Sequence, residues 1–170
     1  IKEVPPKKLF APARAKQIIV TAQLEGGPEV TVKPFLDYVV KDDGSEITGD
    51  VVVNNPVALF DAANDALYLG DWEVFDSLDF VLLQQSSGVT VTWYYSAGNS
   101  EDGDRVYWKE LEVHDETQRF SFSGRVYFEA PQDWIPSNLY VGGKVYSDTY
   151  WLKLVSQSAG VTVTGINRHV

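Results

Sequence analysis

Residues 88–95 have the sequence Gly-Val-Thr-Val-Thr-Trp-Tyr-Tyr, and this stretch decides the fold class. The two valines and Trp93 fall on one side of an extended backbone while the threonines and Tyr94 fall on the other, the period of two that is typical of a half-buried strand. Because Trp93 alternates in step with valines, we expect it in the core. Tyr94 and Tyr95 are adjacent and cannot both face inward, so we expect at least one of them to be exposed or at an interface.

The run at 120–128 predicts a second alternating strand. Its expected apolar face carries Phe120, Phe122, Val126 and Phe128. Gly124 is in phase with these aromatic residues, which predicts a bulge or a place where a neighbouring ring needs room.

Short β-branched runs separated by Gly, Pro, Asn, Asp or Ser fill the rest of the chain, and each predicts a strand. They lie at 17–24, 30–32, 35–40, 51–53, 66–69, 80–83, 106–111, 150–155 and 161–164. The best helical candidate is residues 57–65, expected as a single turn at a crossover. This pattern predicts an all-β fold, an antiparallel β-sandwich with jelly-roll-like connections and an extended N-terminal arm.

Composition limits the class of protein further. The chain has 170 residues, 44% of them apolar, and a formal net charge of −10. It is too hydrophobic to be disordered, and no stretch of it approaches the length of a membrane span. It has no Cys, which excludes a disulfide scaffold and a Cys-based zinc site. We expect one sandwich domain at 17–170, with a sub-boundary near 54–60, preceded by an arm at 1–16.

Residues 1–16 differ in charge from the rest of the chain. They contain five basic residues and one acidic residue, a net charge of +4, so the remaining residues carry −14. Two interpretations stay open: an assembly arm that lies across the acidic surface of a neighbouring copy, and a flexible tether. The basic residues concerned are Lys2, Lys7, Lys8, Arg14 and Lys16. Nucleic-acid contact is not expected for the body, because an acidic surface repels phosphate.

Motifs for catalysis and cofactor binding are missing from the sequence. It contains no G-x-S-x-G, no G-x-x-x-x-G-K-[ST], no G-x-G-x-x-G and no H-E-x-x-H, and its two histidines are His114 and His169. We therefore expect no catalytic residues, no cofactor and no metal. A carboxylate pair of the glycosidase type has no local sequence signature, so a hydrolase stays open as the third of three functional hypotheses. The acidic loop Asn99–Asp104 is interpreted as a hairpin tip rather than a calcium site, and its cation binding stays open.

The aromatic residues have two interpretations. They form a sugar-stacking platform, as in carbohydrate-binding modules, or they fill the core and a subunit interface, which is the favoured interpretation. The set is Trp72, Trp93, Tyr94, Tyr95, Trp108, Trp134, Tyr150 and Trp151. Tyr94 and Tyr95 are the candidates for exposed aromatic contacts.

A series of short pieces in the second half of the chain resembles a module of baseplate assembly proteins and related virion proteins of tailed phages. The pieces lie at 65–70, 75–80, 91–95, 108–113, 115–117, 123–128, 131–134 and 150–154, in the order and rough spacing of that family. Where the family usually carries Arg in the last piece, this chain has Lys153. Lysine keeps the positive charge but lacks the planar guanidinium that pairs with a carboxylate through two hydrogen bonds. The resemblance therefore does not predict a specific salt bridge at this position.

The resemblance implies a non-enzymatic structural protein of a tailed phage or related particle, in the tail, baseplate, neck or capsid decoration. Its expected partners are copies of itself and other virion proteins, and no membrane contact is expected. Its expected location is the virion, which is assembled in the host cytoplasm. A carbohydrate-binding or adhesin domain, with a glycan as partner, is the alternative.

Overall fold

The structure is a computed structural model that describes residues 20–23, 29–32 and 34–168. The basic segment at 1–16 lies outside the described residues. The elements, in chain order, are β1 (Val20–Gln23), β2 (Glu29–Val32), β3 (Tyr38–Lys41), α1 (Thr48–Val52), β4 (Val57–Phe60), β5 (Ala66–Asp71), β6 (Ser77–Leu82), β7 (Val91–Asn99), β8 (Val106–Glu110), β9 (His114–Asp115), β10 (Gly124–Tyr127), β11 (Ser137–Val141), β12 (Lys144–Ser156) and β13 (Gly160–Arg168).

Two antiparallel sheets form a sandwich, which confirms the predicted fold class. One sheet has the strand order β4-β13-β6-β10-β9, and the other has the order β3-β5-β12-β7-β8 with β11 added along β12. The chain moves repeatedly from one sheet to the other, as jelly-roll connections do. β1 and β2 pair with each other as a separate two-stranded hairpin.

The core between the sheets follows from alternation along the strands. Trp93 is buried, as predicted, and packs edge-on against Phe80 of the opposite sheet at 6.2 Å between ring centroids. Leu152 and Leu154 of β12 are fully buried in the same cluster. Since alternate residues point to opposite faces, Trp151 and Lys153 project from the outer face of this sheet.

The prediction of a strand at 51–53 and a helical turn at 57–65 is wrong at both places. α1 covers Thr48–Val52, and residues 57–60 are β4, which pairs with β13. Val51 and Val52 are both buried although they are adjacent, so a helical turn places both against the core where a strand would point one outward. Burial thus overrides the β-propensity of valine. In the described part of the chain no helix is long and apolar enough to cross a membrane.

The predicted alternating strand at 120–128 is also wrong in its first half. Gln118, Arg119 and Phe120 have φ values of 53°, 60° and 59°, so the chain makes a left-handed turn before β10 begins. Phe120 is buried but Phe122 is exposed. At Gly124 the close neighbour is backbone rather than a ring, because an added Cβ would lie 2.9 Å from the Glu116 carbonyl oxygen.

Candidate functional site: an aromatic face with a central lysine

The candidate site lies on the outer face of the sheet that contains β12. Lys153 stands opposite Tyr94 of β7 on one side and opposite Tyr68 of β5 on the other. Trp108 of β8 points to the same face, since its register partner Ser96 is two residues from Tyr94. We call Tyr68, Tyr94, Trp108 and Lys153 the aromatic face.

Contacts within the aromatic face bring the four side chains together. The Lys153 Nζ lies 5.5 Å from the centroid of the Trp108 ring and 5.8 Å from that of the Tyr94 ring. The rings of Tyr68 and Trp108 are 5.8 Å apart between centroids and tilted by 31°. All four side chains are half-buried, so each ring keeps part of its surface accessible to solvent.

The rest of this outer face is covered by the hairpin of β11 and β12. Leu139 of β11 and Tyr146 of β12 are buried there against Val40 and Trp151. The Trp151 indole lies over Gly70 and donates a hydrogen bond from Nε1 to the Ser137 carbonyl at 3.2 Å. Tyr68 and Trp108 pack against the edge of this cluster, so the aromatic face lies beside the hairpin and its rings are partly exposed.

Lys153 is the cation of the aromatic face. Partial burial lowers its pKa from the usual value, and the nearby Asp42 carboxylate opposes that shift. Burial also raises the pKa of the Tyr68 hydroxyl, and the Asp42 charge adds to that rise. Among the described residues the ion pairs use Lys41, Lys109, Arg125 and Arg168, so Lys153 has ring contacts in place of a carboxylate partner.

Two carboxylates border the aromatic face. Asp42 follows β3, and its Oδ2 accepts a hydrogen bond from the backbone N–H of Ala66 at 2.8 Å. Glu110 of β8 is exposed and stands opposite Tyr94 in the strand register. The face thus combines apolar ring surface, one ammonium donor and acceptors at its border.

Of the two tyrosines proposed as exposed contacts, only Tyr94 has an accessible ring on this face. Tyr95 is 9% exposed and belongs to the core, so its proposal as an exposed contact is corrected. Its hydroxyl donates to the Asp133 carboxylate at 2.8 Å, and the same carboxylate pairs with Lys109. The pKa of Asp133 is lowered, first by the Lys109 hydrogen bond and then by that of Tyr95.

The other predicted positions are distributed as follows. Trp134 and Trp151 are buried, and Tyr150 packs against the main core. Sequence reasoning did not propose Tyr68 or Lys153 for a site. In the sequence, each of the two alternates with leucines along its strand, which predicts that it faces away from the core. That they lie next to each other depends on strand order, which this alternation does not specify.

The loop Asn99–Asp104 forms the turn between β7 and β8, as predicted. The Asp102 carboxylate accepts from the Ser100 hydroxyl and from the Asp104 backbone N–H. These hydrogen bonds, with that of Ser100 first, lower the pKa of Asp102. Across the described residues no group of three or more His, Cys, Asp or Glu side chains is placed to hold a metal ion.

The opposite sheet has an open groove of about 400 Å³ on its outer face. Its lining includes Tyr127, Arg125 and Glu116. Tyr127 is 41% exposed, but one side of its ring is stacked on His114 at 4.5 Å between centroids. Arg125 is engaged by Asp79 at 2.8 Å, so its charge is already paired.

Comparisons with known proteins give a distant structural neighbour among the solved structures. No family model matches the chain, and no curated protein matches it. A solved structure with 7% sequence identity and a TM-score of 0.43 covers 81% of this chain and 98% of its own; its title is "CBM32 of AlyQ in complex with 4,5-unsaturated mannuronic acid". Chains this distant need not share a ligand or a site, so the function proposed below rests on this chain's own residues.

Proposed function

We propose that this protein is a non-catalytic carbohydrate-binding β-sandwich module and that the aromatic face is its binding surface. The observation that supports the proposal is the meeting of Tyr68, Tyr94 and Trp108 around Lys153 on one open sheet face. Rings that face solvent beside polar groups are a general arrangement of small-molecule sites.

Sugar chemistry matches the composition of this surface. A pyranose has an apolar face of C–H groups, which packs against an aromatic ring, and a rim of hydroxyls, which needs donors and acceptors. On this chain the rings can pack against the apolar face of the sugar. Lys153 can donate hydrogen bonds to its hydroxyls, and the border carboxylates Asp42 and Glu110 can accept them. Since the rings stand on strands of one hydrogen-bonded sheet, their spacing is fixed before the ligand binds, which reduces the entropy cost of binding.

The experiment is a glycan-array screen followed by calorimetry on the glycans that bind. Trp108→Ala and Tyr94→Ala should each weaken binding at least about tenfold, because each removes stacking area worth more than about 1.4 kcal/mol. Tyr127→Ala is the matched control, since it removes an exposed tyrosine from the opposite sheet and should leave affinity unchanged. Loss of binding in Tyr127→Ala alone, or no glycan binding at all, would contradict the proposal.

As a second candidate function we propose a structural component of a tailed-phage or related virion. Two observations favour it. The pieces that resemble the baseplate family extend along one continuous sandwich from β5 to β12, and among the described residues β4 and β8 each end the strand order of a sheet, where a second copy can pair with them. The edge strand β8 carries Tyr107, which is 57% exposed.

Light scattering over a range of protein concentrations tests the second candidate. The full chain should form a defined multimer, and a variant with Gln at Lys2, Lys7, Lys8, Arg14 and Lys16 should not, because assembly is expected to depend on the charge of this segment. If both forms are monomers at every concentration and salt level, self-assembly through this segment is wrong.

A further inference from the structure

We propose that Lys153 recognises a carboxylate, so that the preferred ligand of the aromatic face is a short oligosaccharide containing an acidic sugar. This inference rests on the proposed carbohydrate-binding function and names the chemical class of its ligand.

The first argument is the position of the ammonium group. Lys153 stands in the middle of the face because β12 is paired on one side with β5 and on the other with β7. A sugar that stacks on Trp108 or Tyr94 therefore has the Lys153 Nζ beside it, at the ring distances of 5.5 and 5.8 Å given above. The two rings hold the lysine side chain in place through cation–π contacts, so less side-chain entropy is lost when a ligand binds.

The second argument is that this charge has unused capacity for hydrogen bonding. An ammonium has three donors, and aromatic rings satisfy its charge only weakly. In the part of the chain that the structure describes, no carboxylate lies within salt-bridge distance of Lys153, whereas Lys41 and Lys109 each pair with an aspartate at 2.5 Å. The partial burial of Lys153 replaces water around it, and an anionic ligand group restores that lost solvation.

The third argument selects a carboxylate over a phosphate monoester. One lysine supplies one positive charge and acts as a point charge, whereas doubly charged groups favour the fork of arginine or several cations together. The other charged groups bordering the face are Asp42 and Glu110, which are negative and disfavour a ligand of higher charge.

The net charge of −10 limits the length of the ligand. A long polyanion would be repelled by the body of the protein. At physiological ionic strength screening acts over about 8 Å, so a carboxylate beside Lys153 is affected mainly by the nearest charges, whereas the ends of a long chain would meet the acidic body.

The test uses calorimetry with the full chain and a matched pair of ligands. One ligand is an oligosaccharide of two to four residues that contains a single uronic acid, and the other is the same oligosaccharide with that carboxyl group reduced to a primary alcohol. The uronate should bind at least about tenfold more tightly than its reduced form. Lys153→Gln should remove this preference, Lys153→Arg should retain it because the charge is kept, and Tyr127→Ala should behave as the unmodified protein.

Equal affinity for the two ligands, or a preference that survives in Lys153→Gln, would overturn the inference. If only neutral glycans bind, and that binding is lost in Trp108→Ala, the carbohydrate-binding function stands and the acidic-sugar inference fails. If neither the array nor calorimetry detects any glycan, both fail together. Circular dichroism of each variant checks that it is folded, and Lys153→Arg keeps the inference testable if Lys153→Gln does not fold.

Discussion

The state of a single residue, Lys153, determines the chemistry of the aromatic face. A lysine on an open strand surface would carry a well-hydrated charge with the ordinary pKa of its side chain. Here the rings of Tyr94 and Trp108 replace part of that water and attract the charged form, while burial disfavours it. The pKa of Lys153 is lowered, so the effect of burial outweighs the opposing effect of the Asp42 carboxylate.

The pH dependence of binding should report this lysine. Binding of an oligosaccharide that contains one uronic acid should weaken as pH rises, and the loss should begin below the value of 10.5 that an unperturbed lysine has, because burial lowers the pKa of Lys153. In Lys153→Arg the loss should be absent up to about pH 10, since a guanidinium keeps its proton beyond about pH 12. Calorimetry from pH 7 to 10 measures the difference, and parallel profiles for the two proteins would show that another group titrates.

Gly70 is a residue at which close packing leaves no room for a larger side chain. A Cβ added there would lie 2.5 Å from the Trp151 ring, which is fully buried under the β11–β12 hairpin and cannot move aside freely. Gly70→Ala should lower the free energy of unfolding by about 1–3 kcal/mol, the usual cost of overpacking. Urea denaturation measures it. Gly49→Ala is the control: its Cβ meets nothing within 4 Å in α1, so it should leave stability unchanged or raise it by up to about 1 kcal/mol. Equal stabilities of the two variants would refute the packing argument.

At the scale of elements, the turn between β9 and β10 is held by side-chain hydrogen bonds in addition to backbone ones such as that from the Val89 N–H to the Arg119 carbonyl at 2.7 Å. The Asp115 carboxylate accepts from the backbone N–H of Thr117 at 2.7 Å and from that of Arg119 at 2.9 Å. The Thr117 hydroxyl also donates to Asp115 and accepts from the backbone N–H of Phe120 at 2.9 Å. This network sustains three consecutive residues in the left-handed region, which non-glycine residues enter only at a cost.

The turn places Phe120 in the core, so weakening the turn should lower the free energy of unfolding. Phe120 packs against Phe80 at 4.9 Å between centroids and stacks on Trp93 at 6.4 Å. Asp115→Ala should lower the free energy of unfolding by about 2 kcal/mol, because it removes several hydrogen bonds to a charged acceptor. Glu101→Ala, on the exposed tip between β7 and β8, is the control and should stay within about 0.5 kcal/mol of the unmodified protein. An Asp115→Ala protein as stable as this control would show that the hydrogen bonds of Asp115 do not stabilise the fold.

At the scale of the whole molecule, two hydrophobic clusters stabilise the fold. The larger one lies between the sheets, and the smaller one lies outside, under the β11–β12 hairpin. They are linked where Trp134, in the larger cluster, donates from Nε1 to the carbonyl of Trp151, in the smaller one, at 3.2 Å. Opening of the hairpin is therefore coupled to the sandwich itself.

Global stability at alkaline pH should depend on Tyr146 in the smaller cluster. Burial, followed by the negative charge of Glu46, raises the pKa of its hydroxyl to about 12 from the ordinary 10.0. Because the folded state keeps this proton while the unfolded state loses it, the contribution of Tyr146 to stability is complete below pH 10 and is lost as pH rises towards 12. Tyr146→Phe should therefore lose less stability between these two pH values than the unmodified protein. Urea denaturation at pH 9, 10 and 11 measures the slope, and identical slopes would show that Tyr146 does not contribute.

The sequence by itself determined the fold class, the burial of Trp93 and the fact that Tyr94 and Tyr95 face opposite ways. These are consequences of the period of two, which is local and needs only neighbouring residues. The hairpin tip at Asn99–Asp104 was also predictable, because turn residues act within a few positions.

Tertiary structure alone decided the short helix at Thr48–Val52, the turn before β10 and the composition of the aromatic face. Valines at 51 and 52 are helical because both meet the core, and a strand pattern contains no information about what a residue will meet. Likewise Tyr68, Tyr94, Trp108 and Lys153 lie on four strands of which only β7 and β8 are consecutive in the chain, so strand order and register bring Tyr68 and Lys153 to the other two. Pairing between distant strands depends on the packing of the whole sandwich, so no local pattern specifies it.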